Sequence, residues 1–202
     1  MNSEFIYRPI SGQYPEKHFG NISPNCLWVK FVDKDEQEWV GSFEQSWVEQ
    51  GTFIINLTSK GKAFIVAGGQ TFLIDINTRE QLNKTKITDT KTATTDEQEE
   101  NIYYSSGFDL RFMDIKGNDY VLFDKYYFDD IKLNEIKDNK LYATYWNYQT
   151  SNEPFRFEID VVTKEVKDSF YDSETKSYSY ENPKPTLFSK LNSIIEFMIF
   201  MS

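Results

Sequence analysis

Lys62-Ala-Phe-Ile-Val-Ala-Gly-Gly-Gln-Thr-Phe-Leu-Ile-Asp-Ile-Asn-Thr-Arg-Glu80 decides the fold of this chain. Residues 63–67 and 71–76 are β-branched and aromatic runs of strand length. They meet at Gly68-Gly69, where both residues tolerate the positive φ that a two-residue hairpin loop needs. Working outward, residues 52–57 lead through Lys60-Gly61 into this hairpin, and residues 81–87 follow as a more polar outer strand, which makes a four-strand set. A second set has strands at 102–105, 110–115 and 120–123, with turns at Gly107 and at 116–118. A third has strands at 131–136, 141–148, 155–162 and 166–171, with turns at Asp138-Asn139 and in a polar loop holding Pro154. Upstream, Trp28-Val-Lys-Phe-Val32 and Glu38-Trp-Val-Gly-Ser-Phe43 form a further hairpin around a polar loop at 33–37. Residues 1–25 carry Pro9, Pro15 and Pro24 without periodicity and read as an extended lead-in rather than an element. The Thr-rich, then acidic, residues 88–100 read as a loop or a solvated edge.

The sets echo one another. Phe72-Leu-Ile-Asp75-Ile-Asn-Thr78-Arg-Glu80 matches Phe157-Glu-Ile-Asp160-Val-Val-Thr163-Lys-Glu165 in residue type, with Phe112-Met-Asp114-Ile as a weaker middle copy. The three Asp positions lie 39 and 46 residues apart. That brackets the roughly 40 to 45 residues of a four-stranded propeller blade. The strand faces agree, because neither face of 63–67 or of 141–148 is purely polar, and a sheet apolar on both sides needs a neighbour on each. The expected fold is all-β: antiparallel sheets in a small or incomplete propeller-like stack, with a β-sandwich as the alternative. The chain is expected to be a single domain over 1–202, with the lead-in at 1–25, a β body at 26–172 and a C-terminal helix at 186–201. In that tail Leu187, Leu191, Ile194, Ile195 and Met198 fall at helical spacings behind Thr186 as N-cap. The apolar run is too short for a bilayer. The helix is expected to dock on the β body, with a homodimer through this helix as the other arrangement.

A formal net charge of -10 and a pI near 4.7 argue against nucleic acid or an anionic membrane as partner, since both attract basic surfaces. A basic protein is the partner that the charge favours. The N-terminal residues lack the apolar core of a signal peptide, and a single Cys26 allows no internal disulfide, so a cytoplasmic location is expected.

Catalytic constellations are sparse. His18 is the only histidine and falls in the lead-in, which speaks against a nucleophile served by a His base and against a multi-His zinc site. Cys26, just before the first strand, reads as a small buried apolar residue rather than a nucleophile. Asp33, Asp35, Gln37 and Glu44 take positions 1, 3, 5 and 12 of a calcium loop, but Glu38 stands where Gly is needed, so a charged hairpin loop is the better reading. Gly68-Gly69 opens no helix and is not a phosphate loop. Asp75, Asp114 and Asp160 either form a carboxylate cluster or, as we prefer, bond to turn amides. Tyr126, Tyr127, Tyr142, Trp146 and Tyr148 are the candidate binding residues, because Tyr and Trp anchor interfaces. No catalytic residue, metal site or cofactor is expected.

Several of these stretches resemble a group of small, β-rich, propeller-blade-like bacterial proteins of unassigned function. The resemblance rests on Trp28 with Phe31 and Asp33, on Glu38-Trp-Val-Gly-Ser-Phe43, on Val66-Ala-Gly-Gly-Gln70, and on Ile74-Asp75-Ile-Asn-Thr78-Arg-Glu80. It continues through Asp130-Ile-Lys-Leu-Asn-Glu-Ile136, residues 141–146 and residues 157–170, and covers residues 27–171. It implies a cytosolic β protein and transfers no site. The expected function is a non-enzymatic cytosolic binding protein, an immunity-type or neutralising partner of a basic protein. The alternative is a carboxylate-based hydrolase using the Asp cluster on repeated strands.

Overall fold

The Lys62–Glu80 stretch lies at the heart of a second sheet in a row of four. In a computed structural model of the chain, the described residues are 1–48, 50–106, 109–124, 129–146, 154–163, 165–168, 171–172 and 177–178. The first sheet holds β1 (Asn2–Ile6), β2 (Glu16–Phe19), β3 (Leu27–Val32) and β4 (Glu38–Phe43) in the order β1-β3-β4-β2. The second holds β5 (Phe53–Leu57), β6 (Lys62–Ala67), β7 (Gln70–Asp75) and β8 (Glu80–Gln81), in chain order. The third holds β9 (Thr92–Thr95), β10 (Asn101–Ser105), β11 (Asp109–Asp114) and β12 (Asp119–Asp124), and the fourth holds β13 (Asp129–Lys137), β14 (Lys140–Trp146), β15 (Phe155–Asp160) and β16 (Val166–Asp168). A short pair, β17 (Tyr171–Asp172) and β18 (Ser177–Tyr178), follows. The chain is all-β among the described residues; the second, third and fourth sheets are antiparallel meanders, whereas the first adds β2 parallel to β4 beyond the β1-β3-β4 set.

Side-chain alternation explains the stacking. Along β6, Ala63, Ile65 and Ala67 point to the first sheet, while Phe64 and Val66 point to the third, and all five are fully buried. Between sheets one and two, Phe31 stacks on Trp39 at 4.1 Å, Phe19 on Phe43 at 4.8 Å, and Phe43 meets Phe72 at 5.1 Å. The Trp39 indole N–H donates to the Ile76 carbonyl at 3.0 Å, so the indole fills the inter-sheet space without an orphaned donor. Leu57, Phe64, Val66 and Leu73 face Ile102, Tyr104 and Met113 across the second interface. Tyr103 and Leu110 face Leu141, Ala143, Tyr145, Phe155, Phe157 and Ile159 across the third. Each such side chain contributes about 1.5–3 kcal/mol through burial, so the interfaces, and not any one sheet, hold the stack. This is the propeller-like arrangement expected, rather than a two-sheet sandwich.

The repeat argument holds at the level of topology. Asp75, Asp114 and Asp160 are each the last residue of the third strand of their sheet.

Four expectations need correction. The lead-in contains β1 and β2, which flank the β3–β4 hairpin and complete the first sheet. Ser3 also ties β1 to β5, since its N–H donates to Asn56 Oδ1 at 2.9 Å and its carbonyl accepts from Asn56 Nδ2 at 3.1 Å. The outer strand expected over 81–87 stops at Gln81. Beyond it the Asn83 side chain replaces the ladder, accepting from Leu73 N at 2.7 Å and donating to Thr71 O at 3.1 Å. Residues 92–95 form an edge strand, where the sequence allowed a loop or a solvated edge. Finally, only one face of β14 is buried, because no further sheet of described residues packs on the other. The helix expected at 186–201 lies outside the described residues.

Candidate functional site

The hairpin turns that end the third strands all carry an aspartate, and the structure shows what each one does. Asp75 Oδ1 accepts from the N–H groups of Asn77 and Thr78, each at 3.0 Å. Asp160 Oδ1 accepts from Val162 N and Thr163 N at 2.9 and 2.8 Å. Asp114 Oδ1 accepts from Lys116 N and Asn118 N, and Asp33 repeats that spacing with Asp35 N and Gln37 N. Carboxylates so held are ionised turn caps. Burial works against the Asp75 charge, yet the Thr78 amide and Lys62 hold the carboxyl below its ordinary value. The Thr163 and Val162 amides lower Asp160 likewise. An acid or base for catalysis at neutral pH needs the opposite displacement. Asp33 is also spent on its turn rather than held open as the first ligand of a calcium loop, and Glu44 instead faces Asn21 and Lys86.

Direct contacts join these turns in the first three sheets into one rim. Lys34 N donates to Asn77 Oδ1, linking the β3–β4 and β7–β8 turns. Ser59, in the 3-10 turn Thr58–Lys60, donates from N to Glu99 Oε2 at 2.8 Å, and Lys60 pairs with Glu100 at 3.4 Å, linking the β5–β6 and β9–β10 turns. Ile115 N donates to Glu100 O, and Val161 N to Asn139 O. Among the described residues, Asp35, Glu36, Glu80, Glu97, Glu100, Asp138 and Glu165 are exposed along this rim, against the exposed bases Lys34, Lys116 and Lys137. Between the third and fourth sheets the rim opens into a cleft of about 180 Å³ whose walls include Asp96, Glu97, Glu100, Tyr103, Asn139 and Val161. Burial, then the Asp96 charge, pushes the Tyr103 phenol up to about 12, so it stays a neutral donor there. An acid-walled notch of this size suits a lysine or arginine side chain.

A further charge cluster lies inside the third sheet. Arg111 donates to Asp119 Oδ2 at 2.6 Å through one terminal nitrogen and to Asp109 Oδ2 at 2.9 Å through the other, and the Tyr104 hydroxyl donates to Asp119. Burial raises the Asp109 carboxyl above its ordinary value, with Arg111 working in the opposite direction. The guanidinium is committed to both carboxylates, and the group ties β10, β11 and β12 together.

Of the aromatic residues expected to bind, Tyr142 and Trp146 sit on the uncovered face of β14, half-buried and 37% exposed respectively. Tyr126, Tyr127 and Tyr148 lie outside the described residues. The rim itself escaped sequence reasoning as a unit, although the Asp-turn repeat was its signal.

No family model and no curated protein matches the chain. Among solved structures, it is similar to a chain in the S. cerevisiae complex of dbp5 with nup159 and gle1, at 12% identity and TM-score 0.43, over 77% of this chain and 41% of that one. It is similar to the β-propeller domain of Myceliophthora thermophila Cps50 (Swd1), at 12% identity and TM-score 0.44, over 71% and 53%. It is also similar to an oligogalacturonate lyase in complex with manganese, at 13% identity and TM-score 0.39, over 71% and 46%. The chain spans about half, or less, of the length of these matched chains.

Proposed function

We propose that the protein is a non-enzymatic binding protein that engages a basic protein through its acidic turn rim, acting as an immunity-type or neutralising partner in the cytoplasm. The observation that carries this reading is the acid-walled cleft between the third and fourth sheets, set in a rim whose exposed charges are mostly carboxylates. A net charge of -10 extends the same field over the whole molecule and favours fast, salt-sensitive encounter with a cationic surface. The rival reading, a hydrolase using Asp75, Asp114 and Asp160, is weakened because each of these carboxylates already accepts two turn amides.

Affinity capture from the native cell, identified by mass spectrometry at low and high salt, tests the proposal. The wild-type protein retains a basic protein at low salt and loses it at high salt, and the Glu97→Lys, Glu100→Lys double variant loses it at both. An Asp75→Asn, Asp160→Asn double variant keeps it. Capture of no basic protein at low salt, or capture indifferent to the charge reversal, overturns the reading.

A further inference from the structure

The outer face of the first sheet carries a second cavity, lined by charges of both signs. Strand register places Ile6, Trp28, Ser42 and His18 side by side in one row across β1, β3, β4 and β2, all on the face turned away from the second sheet. The loops on either side of β2 rise over this row. They bring Arg8, Pro9 and Ser11 from one side and Ile22, Ser23, Pro24 and Cys26 from the other, enclosing about 260 Å³ over the Trp28, Ser42 and His18 floor. The Arg8 guanidinium lies over the Trp28 ring at 6.0 Å from its centroid, and the His18 ring meets the same indole edge-on at 6.2 Å. The guanidinium and the imidazole are therefore gathered around one aromatic plane.

The bonding of these groups leaves specific atoms for a ligand. His18 Nδ1 is taken by the Ser42 hydroxyl, so Nε2 is the ring atom left to face the cavity. Arg8 makes no ion pair among the described residues, although Glu16 lines the same cavity. Glu16 alternates with His18 on β2, which sets the two about 6.6 Å apart along the same face. Glu16 is likewise unpaired among the described residues. A guanidinium, an imidazole and a carboxylate set among Pro9, Ile22, Pro24 and Trp28 make a site with both signs of charge and apolar walls. An anion alone meets repulsion from Glu16, and a cation alone meets repulsion from Arg8. A zwitterion with an apolar body satisfies both. The volume lies below the range of drug-sized pockets and suits a molecule of a few carbons.

We propose that this cavity binds an apolar α-amino acid in its zwitterionic form, with the carboxylate on Arg8 and His18, the ammonium on Glu16 and the side chain against Trp28. This site is independent of the acidic rim. Calorimetric titration of the intact protein with L-leucine, L-valine and L-phenylalanine tests it, alongside 4-methylpentanoate and isoamylamine, which each lack one of the two charges of leucine. At least one of the amino acids binds. If leucine is that ligand, each single-charge analogue binds at least about tenfold more weakly, because a charge-assisted hydrogen bond is lost; for another of the three, its own deaminated and decarboxylated analogues serve. Arg8→Ala weakens the amino acid by a similar factor, and Glu16→Gln removes the preference for the amino acid over the deaminated acid. Both side chains are exposed, so these variants fold. Failure of all three amino acids to bind at millimolar concentration, equal binding of the deaminated acid to the wild type, or binding unchanged by both substitutions overturns the inference. The Glu97→Lys, Glu100→Lys variant leaves amino-acid binding untouched, which separates failure here from failure of the rim proposal.

Discussion

Gly68 lies at the tip of the β6–β7 hairpin, and replacing it with alanine tests the packing account of the central sheet. Two costs add. Gly68 has φ of +57°, where an L-residue costs about 1–2 kcal/mol. A Cβ there would also stand 2.4 Å from the Ser46 carbonyl oxygen and 3.0 Å from the carbon and nitrogen of the same residue. These are backbone atoms, so residues 46–48 must move away. That movement strains the bonds from Ser46 N to Ala67 O at 3.1 Å and from Val48 N to Gly68 O at 3.0 Å, each contributing about 1 kcal/mol. The total for Gly68→Ala is about 3–4 kcal/mol. For a chain of this size that corresponds to a fall in Tm of about 10 °C. Gly12 supplies the control: its φ is +83°, yet nothing lies within 4 Å of a Cβ built on it. Gly12→Ala therefore carries only the backbone cost and lowers Tm by about 5 °C or less. Thermal unfolding followed by circular dichroism, with urea titration at fixed temperature, reads both. Equal losses for the two variants would refute the claim that the hairpin tip is clamped beneath residues 46–48.

Removing the Asp75 and Asp160 caps together, as Asn, lowers the urea midpoint, while the strand signature in circular dichroism is retained. Asp119→Ala leaves Arg111 and the Tyr104 hydroxyl without their shared acceptor and costs about 3–5 kcal/mol, whereas Asp119→Asn, which keeps one acceptor oxygen in place, loses less. An equal loss in the two variants would show that the charge, not the acceptor, dominates there. Glu44 answers to pH. The Asn21 side chain and amide, helped by Lys86 and Gln70, hold its carboxyl at about 2, below the ordinary 4.5. A lowered folded value adds stability above pH 4.5 that disappears as pH falls toward 2. Melting curves of Glu44→Gln should accordingly fall below wild type at neutral pH and converge with it near pH 2; a constant gap across that window would show that the charge of Glu44 does not contribute.

The central sheet was legible because its signals are local. Alternating buried faces, two glycines at a tip and an aspartate that binds the amides two and three residues on all fall within Lys62–Glu80. The first sheet was not legible, because β2 joins β4 by a parallel pairing of Glu16 with Val40 and Phe19 with Phe43, a contact between distant segments with no turn residue to announce it. The strand itself is short and three of its four residues are exposed. The end of the second sheet failed for a different reason. Residues 81–87 have strand-like composition, but one side-chain amide, Asn83, competes with the backbone for Leu73 N and Thr71 O and wins both.

The two candidate sites divide along the same line. Rim acids such as Asp35, Glu36 and Asp138 could be named from the sequence, since each sits in a polar turn between strands. What could not be read was that turns from four sheets share one edge, which follows from meander topology and from contacts such as Ser59 with Glu99. The cavity on the outer face asks for more. Arg8, His18 and Trp28 come from three segments separated by loops, and the only histidine, placed by sequence in an irregular lead-in, became a strand residue facing an indole once β2 had paired. A lone histidine excludes a multi-histidine metal site wherever it falls, but it excludes a mixed-charge binding site only if its strand partner is known. The partner is Ser42, and knowing it turns an argument against zinc and nucleophile chemistry into one for zwitterion recognition.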